Sequence, residues 1–288
     1  MSHTLLNKYR FKHCPCCQHK KFKPFYLSRN SKEVINSKDF MFGGWKYISD
    51  IFSCRKCNFK FINNIIRGEN FYSSSTIIEN DNLIDLSRIN YFKKIRDKLF
   101  DTYAIRNNAT VFDLACGSGE WLDCLPKSFV KSGFEINKDL ISKLKRKNVK
   151  IYRLEEIKDE SLDLISAFDY LEHVIAPDKL IKLMLQKLKP EGVIVIGVPD
   201  MGKFISVLLR QRYYIYTPMH YSYFEKKSIK MLFCNHLKNV DFLKCPPMYP
   251  SFHSIIRWIF NPKNLSSYPN FKIPLGYKAS LIILGKKN

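Results

Sequence analysis

Three groups of residues in this chain have the types and spacing to do chemistry. The first is Val111-Phe112-Asp113-Leu114-Ala115-Cys116-Gly117-Ser118-Gly119, a short apolar run that ends in an acid and then Gly-x-Gly. Such a turn brings backbone amides of an α/β fold close to a nucleotide-like ligand. A dinucleotide loop asks for a third small residue, and Leu122 stands there instead. A phosphate asks for positive charge, and this loop offers Asp113 and Glu120. Glu135 follows about twenty residues beyond the turn, where a carboxylate accepts both hydroxyls of a ribose.

The second group is Cys14-Pro15-Cys16-Cys17 with Cys54-Arg55-Lys56-Cys57. Taken as Cys14/Cys17 and Cys54/Cys57, these are two C-x-x-C knuckles, which place four thiolates around one Zn²⁺. Four protein ligands leave no open position, so the expected zinc is structural. Cys16, His13 or His19 could replace one ligand. The spacing exceeds that of compact ribbons and implies an inserted loop, with a turn at Gly43-Gly44.

The third group is two histidines. His220 lies in an aromatic stretch, Tyr213 to Phe224, and His173 follows a predicted strand in Asp169-Tyr170-Leu171-Glu172-His173. Imidazole titrates near neutral pH and suits removal of a proton from an acceptor. His220 is the first candidate, because its loop is expected to cover an acceptor; His173 is the second. Tyr72, Tyr221 and Tyr223 could bind a sugar ring or fill the core.

Alternating patterns must position these groups. Helical spacing over 83–105 leads into the strand before the glycine turn. A helix over 119–125, limited by Pro126, a strand over 130–136, a helix over 138–147 and a strand over 149–154 follow. The apolar run 162–168 reads as a strand covered on both faces. A helix over 177–188 closes at Lys189-Pro190-Glu191-Gly192, read as a stop and turn, before a strand over 193–198. The segment 204–209, helical character over 228–236 and strands over 240–243 and 279–284 complete the chain. This alternation implies a doubly wound, mainly parallel sheet.

The 288 residues hold 48 Lys and Arg against 26 Asp and Glu, a formal charge of +22. Lys, Asn and Ile are abundant throughout, and clusters such as Lys143 to Lys147 fall at the polar end of a helix. The charge therefore reads as compositional bias, with nucleic acid not the favoured partner. Attraction to anionic partners in general, such as nucleotide diphosphates or acidic lipid, remains. No apolar run spans a bilayer and Met1 to Lys8 lack a signal-peptide core, so a cytoplasmic protein with nine reduced cysteines is expected.

Four blocks in order resemble the class I S-adenosyl-L-methionine (SAM)-dependent methyltransferases: Asp113 to Gly119, Glu135, Asp163-Leu164-Ile165 through Leu171-Glu172-His173, and Leu188-Lys189-Pro190-Glu191-Gly192. The resemblance covers roughly residues 83–288. The paired cysteines ahead of them are similar to bacterial methyltransferases with an N-terminal zinc-binding domain, a group that includes nucleotide-sugar C-methyltransferases. This implies a seven-stranded Rossmann-like sheet, with residues 1–68 a zinc-ribbon-like domain, 69–108 a linker and helical lead-in, and 109–288 the SAM-binding domain. It further implies that Asp113 belongs to the cofactor site, that Ala115, Gly117 and Gly119 line the methionine part of SAM, that Glu135 holds the ribose, and that residues near Glu155 and Phe168 frame the adenine. In this family block the histidine matching His173 often packs under the cofactor loop.

The C-methyltransferases carry a Glu-His pair in the aromatic stretch; here the pair is Met219-His220, so the His is kept and the Glu is lost. The expected activity is methylation of a small molecule, a nucleotide-linked sugar or glycan precursor of surface-polysaccharide or deoxysugar biosynthesis. The alternative is an RNA- or protein-modifying methyltransferase. Phe168-Asp169-Tyr170-Leu171 lacks the Asn/Asp-Pro-Pro-aromatic motif for exocyclic amines. The choice among carbon, oxygen and nitrogen, and the oligomeric state, stay open at this point.

Overall fold

The computed structural model describes residues 7–27, 50–62, 64–67, 86–202, 215–216, 220–234, 236–243, 252, 269 and 280–287. Tyr72, Met219, the Gly43-Gly44 turn and residues 204–209 lie outside the described residues.

Thirteen described strands form three sheets. β1 (Asn7–Arg10) pairs antiparallel with β5 (Asn64–Arg67). Between them β2 (Phe22–Tyr26), β3 (Ile51–Cys54) and β4 (Lys60–Ile62) make an antiparallel ribbon. Its fourth strand comes from far along the chain: β11 (Ser222–Tyr223), separated from His220 by Tyr221, pairs antiparallel with β4.

The main sheet contains β6 (Thr110–Leu114), β7 (Val130–Phe134), β8 (Lys150–Ile151), β9 (Leu162–Phe168), β10 (Leu188–Pro199), β12 (Leu237–Leu243) and β13 (Ser280–Lys287). Their order is β12-β13-β10-β9-β6-β7-β8. The five strands from β8 to β10 run parallel, and β13 is antiparallel to both its neighbours. The expected mainly parallel, seven-stranded, doubly wound sheet is present. The chain winds outward from β6 through β7 to β8, then returns to the centre for β9 and β10. That reversal opens a crevice at the carboxyl ends of β6 and β9, where such sheets bind ligands.

Helices α1 (Leu86–Thr102), α2 (Glu120–Cys124), α3 (Lys138–Arg146), α4 (Pro177–Lys187) and α5 (Lys226–Phe233) accompany the sheet. In α1, Phe92, Ile95 and Leu99 recur at helical spacing, and all three are buried. They join Val111, Leu164 and Phe168 in one core layer, while Phe112, Leu114, Ile165 and Ala167 enter the other. Because side chains alternate along a strand, Asp113 and Ser166, paired across β6 and β9, face the α1 side.

At the opposite end of this sheet, Asp163 accepts hydrogen bonds from Thr110 N and Oγ1 and ion-pairs with Lys189 and Arg106. Burial alone would raise this carboxyl, but those donors hold it down at about 2.

One expectation is corrected in detail. Lys189-Pro190-Glu191-Gly192 does not end the fourth helix in a free turn, because the strand already begins at Leu188. Leu188 pairs with Leu162, the register then shifts, and Val193 resumes pairing with Leu164. Glu191 takes a left-handed backbone, φ 63°, so the four residues form a bulge within β10. The third parallel strand is also shorter than the expected 149–154.

The second core layer is shared with the ribbon. Phe59 packs against Phe224 with ring centroids 5.2 Å apart, and Phe11 and Phe22 meet Phe61 edge-on. Lys60 of β4, nearly buried, forms an ion pair with Glu225 ahead of α5. The ribbon is thereby built onto residues 220–233.

Candidate functional site

The glycine turn leaves β6 through three left-handed residues: Ala115 (φ 58°), Gly117 (φ 54°) and Gly119 (φ 84°). A non-glycine residue in that region is strained, and such strain concentrates at functional sites. A side chain at Gly119 would meet Leu144 Cδ2 at 2.8 Å, whereas the space beside Gly117 is open. The turn is tied to the next strand, since Cys116 N–H donates to Phe134 O at 2.9 Å.

Glu135 stands one residue beyond β7, beside this turn. Its Oε2 accepts from Gly117 N–H at 3.0 Å and its Oε1 from Ile136 and Asn137 N–H. The acid is thus aimed and fixed by backbone donors, with further lone-pair capacity on both oxygens. Asp113 is buried beneath the turn. Trp121 Nε1 donates to Ser166 Oγ at 2.9 Å, and Ser166 Oγ donates to Asp113 Oδ1 at 2.6 Å. Burial pushes the Asp113 carboxyl up to about 7, against the opposing pull of the Ser166 hydroxyl.

The structure therefore brings Asp113, Ala115, Gly117, Gly119 and Glu135 to one place. Glu155 and Phe168 are placed differently. Glu155 is exposed in a 3₁₀ turn after β8, 3.9 Å from Arg153. Phe168 is buried edge-on against Phe92 and Trp121, so its ring helps build the core beneath the site.

A second cluster follows β9. Glu172 and His173 occupy a 3₁₀ turn (Leu171–His173), and His220 approaches from the segment before β11. The His173 and His220 rings meet edge-on, centroids 4.8 Å apart. Glu172 is 2% exposed, and its Oε2 has no hydrogen-bond partner. Burial, and then the nearby charge of Asp169, pushes its carboxyl well above the usual range. Burial and the adjacent His173 hold His220 well below the usual imidazole range. His220 Nδ1 lies 2.7 Å from Ile215 O. A carbonyl only accepts, so Nδ1 carries the proton and Nε2 presents a lone pair.

The four cysteines Cys14, Cys17, Cys54 and Cys57 place their sulfurs within 4.8 Å of one another, with Cys14–Cys57 and Cys17–Cys54 at 3.6 Å. A tetrahedron with Zn–S near 2.3 Å has edges of about 3.8 Å, so this donor set fits zinc. Hydrogen bonding with Cys14 lowers the Cys57 thiol, while hydrogen bonding to Cys57 and burial push Cys14 far up. Cys16 donates its thiol to Ser228 O at 3.5 Å, tying the first knuckle to α5. His13 and His19 do not join the cluster among the described residues.

Two main-chain bonds connect ribbon and histidines: Ile62 N–H donates to Tyr221 O at 3.0 Å, and Tyr221 N–H donates to Glu172 O at 2.8 Å. A groove of about 420 Å³ beside the second knuckle is lined by Lys23, Arg55, Lys56 and Lys227 with Cys54 and Asn58, and no carboxylate.

A protein-family model described as a methyltransferase domain matches residues 86–236, more than half of the chain. The chain belongs to the methyltransferase-domain family. Among solved structures, the YcgJ protein of Bacillus subtilis aligns at 15% identity with a TM-score of 0.51, covering 69% of this chain and 98% of that one. A SAM-dependent methyltransferase of Archaeoglobus fulgidus aligns at 20% identity and a TM-score of 0.46, covering 67% and 92%. The likeness to YcgJ is one of fold. A curated relative, the V-type proton ATPase 116 kDa subunit a 4 of Caenorhabditis elegans, is 27% identical over 213 residues. That match spans 68% of this chain and only 16% of the larger protein, whose activity is therefore not carried over. No helix among the described residues of this methyltransferase is long and apolar enough to cross a membrane.

Sequence reasoning assigned no role to Ser166, Trp121 or Glu172. Ser166 had a signal, since it is the one polar residue between apolar neighbours in Leu164 to Phe168. Glu172 had none, because its importance arises from a histidine distant in sequence.

Proposed function

We propose that this methyltransferase uses SAM to methylate a small, phosphate-bearing acceptor, most simply a nucleotide-linked sugar. The observation that carries the cofactor reading is the left-handed Ala115–Gly119 turn locked to Glu135 by Gly117 N–H. Ala115, Gly117 and Gly119 would line the methionine part, Glu135 would accept the ribose hydroxyls, and Glu155 would border the adenine. When bound, SAM supplies an electrophilic methyl group on a sulfonium.

The residues of this chain do the rest by placement, because an in-line displacement depends on alignment. Asp113, fixed by Ser166 and Trp121, supports the turn from below. The acceptor would lie against Glu172, His173 and His220, at the carboxyl end of β9 beside the turn, with His220 the group that activates its hydroxyl. The lysine- and arginine-lined groove supports a diphosphate-bearing acceptor, since clustered cations without an acid suit phosphate oxygens. We read residues 1–68 as the zinc ribbon, 69–108 as the lead-in and 109–288 as the catalytic body, with zinc held by Cys14, Cys17, Cys54 and Cys57.

Titration calorimetry tests the cofactor. One SAM is expected per chain, with binding abolished in Gly117→Arg and Asp113→Ala. Unchanged affinity in both variants would refute the assignment.

A further inference from the structure

The Glu172–His173–His220 cluster has properties that a proton-transfer role leaves unexplained. One carboxylate oxygen and two imidazole nitrogens lie within 4.8 Å of one another. Glu172 is buried, and its Oε2 lacks any hydrogen-bond partner. A buried carboxylate oxygen left unpaired is expensive, so such an atom implies a missing partner. His220 supplies a second, independent sign. Its Nδ1 proton is tied to Ile215 O at 2.7 Å, which fixes the ring and directs the Nε2 lone pair away from that bond. Metal-ligating histidines are held in this way, with the non-ligating nitrogen donating to a carbonyl. The two rings meet edge-on at 76°, with one nitrogen of each within 4.8 Å of the other and of a Glu172 oxygen.

The backbone holds the three ligands in place. Glu172 and His173 share one 3₁₀ turn, and Tyr221 N–H donates to Glu172 O at 2.8 Å, which brings His220 against that turn. We propose that Glu172, His173 and His220 bind one divalent transition-metal cation. Two imidazoles and one carboxylate favour Zn²⁺, Fe²⁺ or Co²⁺ over Mg²⁺ and Ca²⁺, which take all-oxygen surroundings. Three protein ligands leave coordination positions open, in contrast to the closed four-cysteine site. An acceptor hydroxyl entering an open position would be polarised there, which deepens the role given above to His220 and rests on the methyltransferase reading.

The test uses full-length, zinc-replete protein titrated with Co²⁺. The expected result is about one equivalent of Co²⁺ showing ligand-field bands of nitrogen and oxygen coordination, without thiolate-to-cobalt charge transfer. Affinity should fall at least about ten-fold in both Glu172→Gln and His220→Ala. SAM calorimetry on the same variants reports whether the cofactor half stays folded, and His173→Ala replaces either variant that does not. No Co²⁺ uptake outside the thiolate site, or uptake unchanged across the variants, overturns the proposal. Co²⁺ binding by a wild-type protein that fails to bind SAM would support the cation site and refute the cofactor reading separately.

Discussion

The glycine turn and the histidine cluster sit at the carboxyl ends of adjacent strands, β6 and β9, yet they are built in opposite ways. The turn is made of consecutive residues, and its ties to Phe134 and Glu135 come from the end of the next strand. The histidine cluster is assembled from a 3₁₀ turn after β9 and a segment that the four-cysteine ribbon holds through β4, Tyr221 and the Lys60–Glu225 pair. Cofactor affinity should therefore be local and insensitive to the ribbon, whereas turnover should depend on it.

The largest effect expected from that contrast is loss of the metal-binding thiolates. Cys57→Ala should release the ribbon and abolish turnover, while calorimetry still detects SAM binding. Loss of SAM binding together with turnover would mean that the two halves fold as one. Next comes the Lys60–Glu225 pair. Removing one partner of a largely buried pair strands the other, so Lys60→Met should lower stability by about 2–3 kcal/mol. Denaturant unfolding reads that loss, and SAM affinity should again be retained.

On the cofactor side, Asp113 makes apo-protein stability depend on pH. Its carboxyl titrates at about 7 in the fold against 3.8 as the ordinary value, so the folded state holds the proton longer than the unfolded chain. The associated stability is fully present below pH 3.8, declines as pH rises and is gone above about 7. Asp113→Asn should flatten that part of the profile in denaturant melts taken between pH 4 and 8; an identical slope in both proteins would contradict the burial argument. The smallest effect is at Trp121. Trp121→Phe keeps an aromatic ring of smaller size and removes the donor to Ser166, which should cost about 1–2 kcal/mol of stability in the same melts.

The same contrast decides how much the sequence revealed. Asp113, Ala115, Gly117, Gly119 and the two C-x-x-C pairs were legible because their chemistry is written in local spacing. The parallel sheet was legible because each apolar run has one periodicity and one length. The pairing of β11 with β4 was not, since two residues after His220 carry no strand signal and the partner is far away in sequence. Glu172 was hidden for the same reason. Lys189 to Gly192 misled because Pro and Gly ordinarily close a helix, while here they absorb a register shift inside β10. The resemblance set residues near Phe168 beside the adenine, and the Phe168 ring itself packs in the aromatic layer with Phe92 and Trp121.

The most direct measurement is mass spectrometry of a nucleotide-sugar panel incubated with the wild-type enzyme and isotopically labelled SAM, with bulk RNA and protein as competing acceptors. A labelled methyl group on a nucleotide sugar, absent with His220→Ala, is the predicted result. Label in RNA or protein, with every nucleotide sugar unchanged, would contradict the small-molecule assignment.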